Sequence, residues 1–229
     1  DERTLPVLDG SSYDLQRPLL LFSERTAFLS LSDMGKALPS YEEIPIACRM
    51  EEVVQTEYKR IEDALVRVLR SDRRAAQKIL SAYLNLLTVY PDQPYDQKPI
   101  LYPDSDVPIV EPENIGDADT LGEKEQRTLE IVRAAIQNRE RELIYTSWVR
   151  TDSQQKLKKL LTDEGYRTEI LTDKIKTTDR EDWVQKKLAA GMQVLIVNPS
   201  LVETGLDLNA FTTLVFYSMG YKLFTLRQA

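Results

Sequence analysis

The sequence predicts an α/β protein in which a parallel β-sheet is flanked by helices, with a helical insertion on the N-terminal side. Short, predominantly apolar runs occur at Leu143–Trp148 (LIYTSW) and Val194–Val197, with a further candidate at Tyr166–Leu171. Runs of this kind are expected of strands buried on both faces of a parallel sheet. Stretches of helical length lie between them and stop at Gly165 and Gly191. The order strand, helix, strand, helix, strand, loop, strand is that of a doubly wound sheet with right-handed crossovers.

Taken from the N-terminus, residues 1–37 form an extension of unassigned role. Its short apolar runs Leu19–Phe22 and Ala27–Leu31 around Ser23-Glu24-Arg25 suit a hairpin. Residues 38–90 are expected to be helical. No Gly or Pro occurs from Met50 to Tyr90, and Val54, Tyr58, Ile61, Leu65, Val68 and Leu69 recur at helical spacing. Ser71-Asp72 offers an N-cap from which a second helix restarts, carrying Ala75, Ile79, Ala82, Tyr83 and Leu86, so the pair is expected to pack as an antiparallel hairpin. The stripe is read as core in preference to a partner groove, and Arg67, Arg70, Arg73 and Arg74 as a basic cluster or a solvated face.

Residues 91–122 read as an acidic connector. Six prolines (Pro91, Pro94, Pro99, Pro103, Pro108, Pro112) punctuate it, and the eight acids from Asp104 to Glu125 face only Lys124. A solvated linker is the preferred reading, and mimicry of a nucleic acid by this stretch the minor one.

From 123 onward the sheet domain is expected. A charged helix over roughly Glu123–Arg141 leads into the Leu143–Trp148 strand. Thr151-Asp152-Ser153 caps a helix through Leu157, Leu160 and Leu161 that ends at Gly165, and Thr178 and Asp179 open another that carries Trp183, Val184 and Leu188 to Gly191. After Val197, Asn198-Pro199 begins a turn, and Thr204-Gly205 supplies a hydroxyl and a residue free to take positive φ, so that backbone N–H groups can approach an anion. Asp207 follows, and Thr213–Tyr217 is a last strand. The loop therefore lies at the carboxyl end of one strand, where open α/β sheets bind ligands. An ordinary strand connection satisfies the same spacing equally well.

Composition narrows the function classes. The chain has 229 residues, a net charge of −7, one cysteine and no histidine. Lone Cys48 excludes an internal disulfide framework and suits a reducing, cytoplasmic setting, and without histidine an imidazole-bound metal site is not expected. No apolar run reaches the ~20 residues that span a bilayer, so no membrane partner is expected. The charge deficit is local, because the stretch Asp104–Glu125 alone carries −7 while residues 141–229 have 13 Lys and Arg against 11 acids. The sheet domain is thus not repelled by phosphate, yet it has no strongly basic stripe.

The sequence LIYTSW followed by a helix, then VLIVNPSLVETGLDLNAFTTLVFY, then the ending LRQA, resembles the second (C-terminal) RecA-like lobe of a superfamily two helicase or translocase, nearest the Swi/Snf branch. LPSYEEIPIACRMEEVVQTEYKRIEDAL and LLTVYPDQPYD resemble the entry into that lobe, so the likeness covers about Leu38–Ala229. It implies a RecA-like, P-loop NTPase-type fold over 123–229, Ile144–Trp148 as motif IV, Ser200–Leu208 as motif V and Gln228-Ala229 as the opening of motif VI.

The resemblance implies nucleic-acid backbone contacts by Thr146, Ser147, Ser200 and Thr204, and a nucleotide or coupling role for Gly205, Asp207 and Gln228. For Thr146, Ser147 and Thr204 a turn or capping role is the alternative. It further implies ATP and Mg2+ in a longer parent protein, DNA as partner with RNA as an alternative, and a first RecA-like lobe in the same parent. The chain has no G-x-x-x-x-G-K-[ST] run, no acidic pair of the D-E-x-H type, and no motif VI arginines before residue 229. The chain alone is therefore expected to bind neither ATP nor metal and to have no ATPase activity. Two other classes fit the α/β pattern: a non-catalytic nucleotide- or nucleotide-sugar-binding module, and an interaction adaptor.

Overall fold

The computed structural model describes residues 42–147, 153–202 and 206–218. The chain divides into two compact units, Asp1–Ile46 and Ala47–Ala229. Of the first, residues 42–46 are described; they carry no helix or strand and are exposed. The expected hairpin within 1–37 lies outside the described residues.

The second unit begins with helices α1 (Glu52–Ser71) and α2 (Arg73–Val89). Asp72 separates them and caps α2, its Oδ1 accepting from Arg74 N at 3.0 Å and Ala75 N at 2.9 Å. Val54, Ile61, Leu65 and Val68 of α1 close on Ala75, Ile79, Tyr83 and Leu86 of α2 in one buried cluster. Two members of the expected stripe lie outside it: Leu69 is 43% exposed and Ala82 is exposed. Both fall at the flank of the apolar arc, where the partner helix no longer covers the surface.

The segment read as a solvated connector packs onto this hairpin. Strands β1 (Ile100–Leu101) and β2 (Pro108–Val110) pair antiparallel, and Tyr95, Val110 and Pro112 are buried. Its backbone is held by long-range bonds: Tyr90 Oη donates to Glu113 O (2.8 Å), Arg60 Nη2 to Glu111 O (2.6 Å) and Glu113 N to Glu57 Oε1 (2.9 Å). Proline content predicted extended backbone there, but extended backbone also docks edge-on wherever side chains offer it partners.

Residues 123–218 form the sheet domain. Its elements are α3 (Glu123–Gln137), β3 (Glu142–Thr146), α4 (Ser153–Asp163), β4 (Thr168–Leu171), α5 (Arg180–Ala189), β5 (Val194–Val197) and β6 (Thr213–Ser218). The four strands are parallel in the order β4-β5-β3-β6. Alternate side chains fill two cores. Ile144, Ile170, Val194, Ile196 and Tyr217 meet Val132 of α3 and Leu157 and Leu161 of α4, while Leu143, Tyr145, Leu171, Leu195 and Val197 meet Val184 of α5. Helices thus cover both faces, as a doubly wound sheet requires. Gly165 and Gly191, each at φ +89°, terminate α4 and α5 in the left-handed conformation that glycine adopts without a Cβ penalty. Among the described residues no helix is long and apolar enough to cross a membrane.

Candidate functional site

The carboxyl edge of the sheet is where the chain's path reverses. After β3 it passes to the face that carries Leu157 and Leu161; after β5 it passes to the other, where Val202, Phe211 and the partly buried Leu206 and Leu208 pack. Open α/β sheets bind ligands at the strand ends where successive connections pass to opposite faces.

Three strand ends are tied together there by short polar side chains. Ser147, just past β3, donates its N–H to Ser218 Oγ (2.9 Å) and its hydroxyl to Ser218 O (3.0 Å). Asn198, just past β5, donates Nδ2 to Ser147 O (3.2 Å). Its Oδ1 accepts from Ser200 N (2.9 Å) and Ser200 Oγ (2.6 Å) and so caps the single 3-10 turn Pro199–Leu201. Asn before Pro at a helical start is a favoured arrangement, since the missing proline N–H would be unpaired in any case.

The pairing of β3 with β6 helps to make this geometry. Tyr145 stands opposite Phe216 but Thr146 opposite Ser218, so Tyr217 is one residue extra. A bulge of this kind re-aims the side chains beside it. It brings Ser218 to Ser147 and turns Tyr217 inward, where its hydroxyl donates to Glu125 Oε1 at 3.0 Å.

Beneath the edge lies a buried ionic cluster. Lys156 Nζ sits 2.9 Å from Glu125 Oε1, with side chains 7% and 5% exposed. Gly122 N donates to Glu125 Oε2 (3.1 Å). Lys124 pairs with the nearly buried Asp92 at 2.6 Å and stands 4.3 Å above the Tyr217 ring. Burial raises the Asp92 carboxyl above the usual range, against the pull of Lys124, and burial pushes the Tyr217 phenol up as well. Residues from the α2–β1 connection, α3, α4 and β6 thus meet around Glu125.

The residues expected to form the site are only partly brought together. Ser147 and Ser200 are joined through Asn198. Thr146 is fully buried, and its Oγ1 accepts from Gln154 Nε2 of α4 at 2.7 Å, so its side chain faces the protein interior. The hydroxyl hydrogens of Ser147 and Ser200 are both donated, to Ser218 O and to Asn198 Oδ1, and of the two residues Ser200 is exposed. Asp207 is exposed, and its Oδ1 accepts from Asn209 N (3.1 Å) in a local turn. Thr204, Gly205 and Gln228 lie outside the described residues. Asn198, Ser218 and Gln154 escaped the sequence reading because their partners are fixed by strand register. The Asn198-Pro199 pair was the one local signal that pointed to them.

Residues 123–229 match the family described as the helicase conserved C-terminal domain. No curated protein matches the chain. Among solved structures, the chain is similar to the C-terminal part of the Fun30 ATPase domain, at 10% identity over 79% of this chain and 75% of that one, with a TM-score of 0.57. It also matches UvsW of T4, at 14% identity, TM-score 0.38 and 46% and 21% of the two chains. The helicase domain of Hef from Pyrococcus furiosus matches at 14% identity, TM-score 0.38 and 76% and 32%. The parallel sheet with helices on both faces agrees with the first of these in fold. Residues 123–229 are thus similar to the helicase conserved C-terminal domain, and the chain shares its fold with the C-terminal part of the Fun30 ATPase domain.

Proposed function

We propose that this lobe belongs to an ATP-dependent DNA helicase or translocase, in which its carboxyl-edge loops contact a nucleic-acid backbone and its edge completes an ATP site shared with a first RecA-like lobe. The observation that carries the reading is the clasp of β3, β5 and β6 at the sheet's switch point, within a segment that matches a helicase domain. The clasp holds Asn198 and Ser200, at the start of the β5 loop, against the end of β3. A phosphodiester is recognised by hydroxyls and backbone N–H groups held in fixed register, and such contacts position the duplex without reading its sequence. Exposed Ser200, with Thr204 and Gly205 after it, is the group assigned to phosphate. Thr146 and Ser147 act beneath it: Thr146 orients Gln154 at the start of α4, and Ser147 ties β3 to β6.

Among the described residues no group of three or more His, Cys, Asp or Glu is placed to hold a metal ion. Mg2+ and the triphosphate are assigned to the first lobe, which would supply the phosphate-binding loop and acidic ligands whose motifs this sequence does not carry. Asp207, Gly205 and Gln228 would face the bound nucleotide from this side. Bound there, ATP would supply the free energy of its γ-phosphate cleavage. The test is the affinity of the chain for a labelled DNA duplex over a salt series. Log affinity should fall linearly with log salt, with a slope of about −0.9 per phosphate neutralised. Absence of binding at low salt, or binding indifferent to salt, removes the reading.

A further inference from the structure

Resting on that reading, we infer that Asn198 is a positioning residue that couples Ser200, at the start of the β5 loop, to the end of β3, so that Ser200 is presented to a nucleic-acid backbone only while this latch is closed. Among the described residues, Asn198 is the side chain bonded to both. Its carbonyl oxygen serves its own loop, accepting from Ser200 N at 2.9 Å and Ser200 Oγ at 2.6 Å. Its amide nitrogen serves the neighbouring strand, donating to Ser147 O at 3.2 Å. Ser147 is in turn bonded to Ser218 through both its N–H and its hydroxyl, so the series Ser200, Asn198, Ser147, Ser218 runs across the ends of β5, β3 and β6.

The two ends of the Asn198 amide are chemically separable. Aspartate retains the acceptor that caps the turn but replaces the donor with a second oxygen facing a carbonyl, which repels it. Alanine removes both functions. A side chain that merely capped its turn would be served equally well by Asp, since Asn and Asp are near-equal caps. Coupling needs the donor, and of Asn, Asp and Ala only Asn has one together with the acceptor.

The experiment compares Asn198→Asp and Asn198→Ala with the unaltered chain by hydrogen exchange and by binding to a fluorescein-labelled DNA duplex. In Asn198→Asp the amides of 200–202 should keep their protection, while those at the end of β3, about residue 147, should exchange several-fold faster. DNA affinity should fall about tenfold, with melting within a few degrees of the parent. In Asn198→Ala both segments should lose protection. If Asn198→Asp leaves the β3 end protected, or binds DNA as the unaltered chain does, the coupling role is wrong and Asn198 is a local cap. If the unaltered chain fails to bind DNA, the nucleic-acid reading falls by itself, and the exchange at the β3 end still decides whether Asn198 latches the loops.

Discussion

Lys156 and Glu125 form an ion pair of 2.9 Å in which both side chains are almost wholly buried, one at the start of α4 and the other in the first turn of α3. Glu125 also accepts from Tyr217 and from Gly122 N, so its carboxylate has partners on three elements. Lys156→Met should leave that carboxylate buried without its counter-charge and cost about 3–5 kcal/mol. Combining it with Glu125→Leu should cost less than the two single losses added, because no unpaired charge is left buried, although Tyr217 Oη and Gly122 N lose their acceptor. Urea midpoints of the two single variants and the double variant measure this. Additive losses in the double variant would show that the two charges do not depend on each other.

At the opposite end of β3 the sheet contains a carboxyl with no hydrogen-bond partner among the described residues. Glu142 is fully buried, neither side-chain oxygen is hydrogen-bonded, and burial pushes its carboxyl from 4.5 up to about 8. The folded chain therefore holds a proton that the unfolded chain releases above pH 4.5. Between these two values the native state binds more protons, so stability falls by about 1.4 kcal/mol per pH unit from this group and levels off above about pH 8. Glu142→Leu should abolish that component, stabilising the chain more at pH 8 than at pH 5. Equal gains at the two pH values, read from urea midpoints, would contradict the assignment.

The elements that could be read from sequence are those whose signals are local. Strands β3, β4, β5 and β6 and helices α4 and α5 fall where apolar runs and stop-glycines put them, since a buried parallel strand and a left-handed helix end each leave a mark within a few residues. Glu142 illustrates what local pattern misses: a charged residue before LIYTSW looks like a strand boundary, yet it pairs with Val194 and Thr213 inside the sheet. The docking of residues 91–122 on the helical hairpin, and the meeting of Tyr217 with Glu125, depend on partners far along the chain, and no window of sequence contains both ends of such a contact. The site was legible to the same extent. Motif spacing located its loops, but which hydroxyls are free depends on the bulge between β3 and β6.

The turn between α1 and α2 gives a prediction confined to stability. Asp72 is the one side-chain cap there, and alanine should cost about 0.5–2 kcal/mol. Thermal melting would record the loss, and replacement by Asn or Ser should restore most of it. A variant as stable as the parent would mean that water serves the first-turn N–H groups of α2 equally well.

Ser200 and Thr204 give the prediction that separates binding from folding. Ser200 is exposed, and among the described residues its Oγ is bonded to Asn198 Oδ1, at 2.6 Å. Removing an exposed hydroxyl changes stability by no more than about 0.5 kcal/mol, so Ser200→Ala should melt as the parent does. If the β5 loop grips a phosphodiester, Ser200→Ala and Thr204→Ala should each weaken DNA binding by about fivefold to tenfold, the loss of a hydrogen bond to a charged group. Neither replacement removes a cation, so the slope of log affinity against log salt should not change. In a full-length protein with both lobes, the same substitutions should lower DNA-stimulated ATP hydrolysis while leaving hydrolysis without DNA near its starting level. Fluorescence anisotropy and a coupled ATPase assay read the two effects. Unchanged affinity in both variants would move the phosphate contact away from this loop, and a fall in melting temperature matching the fall in affinity would reduce both hydroxyls to structural roles.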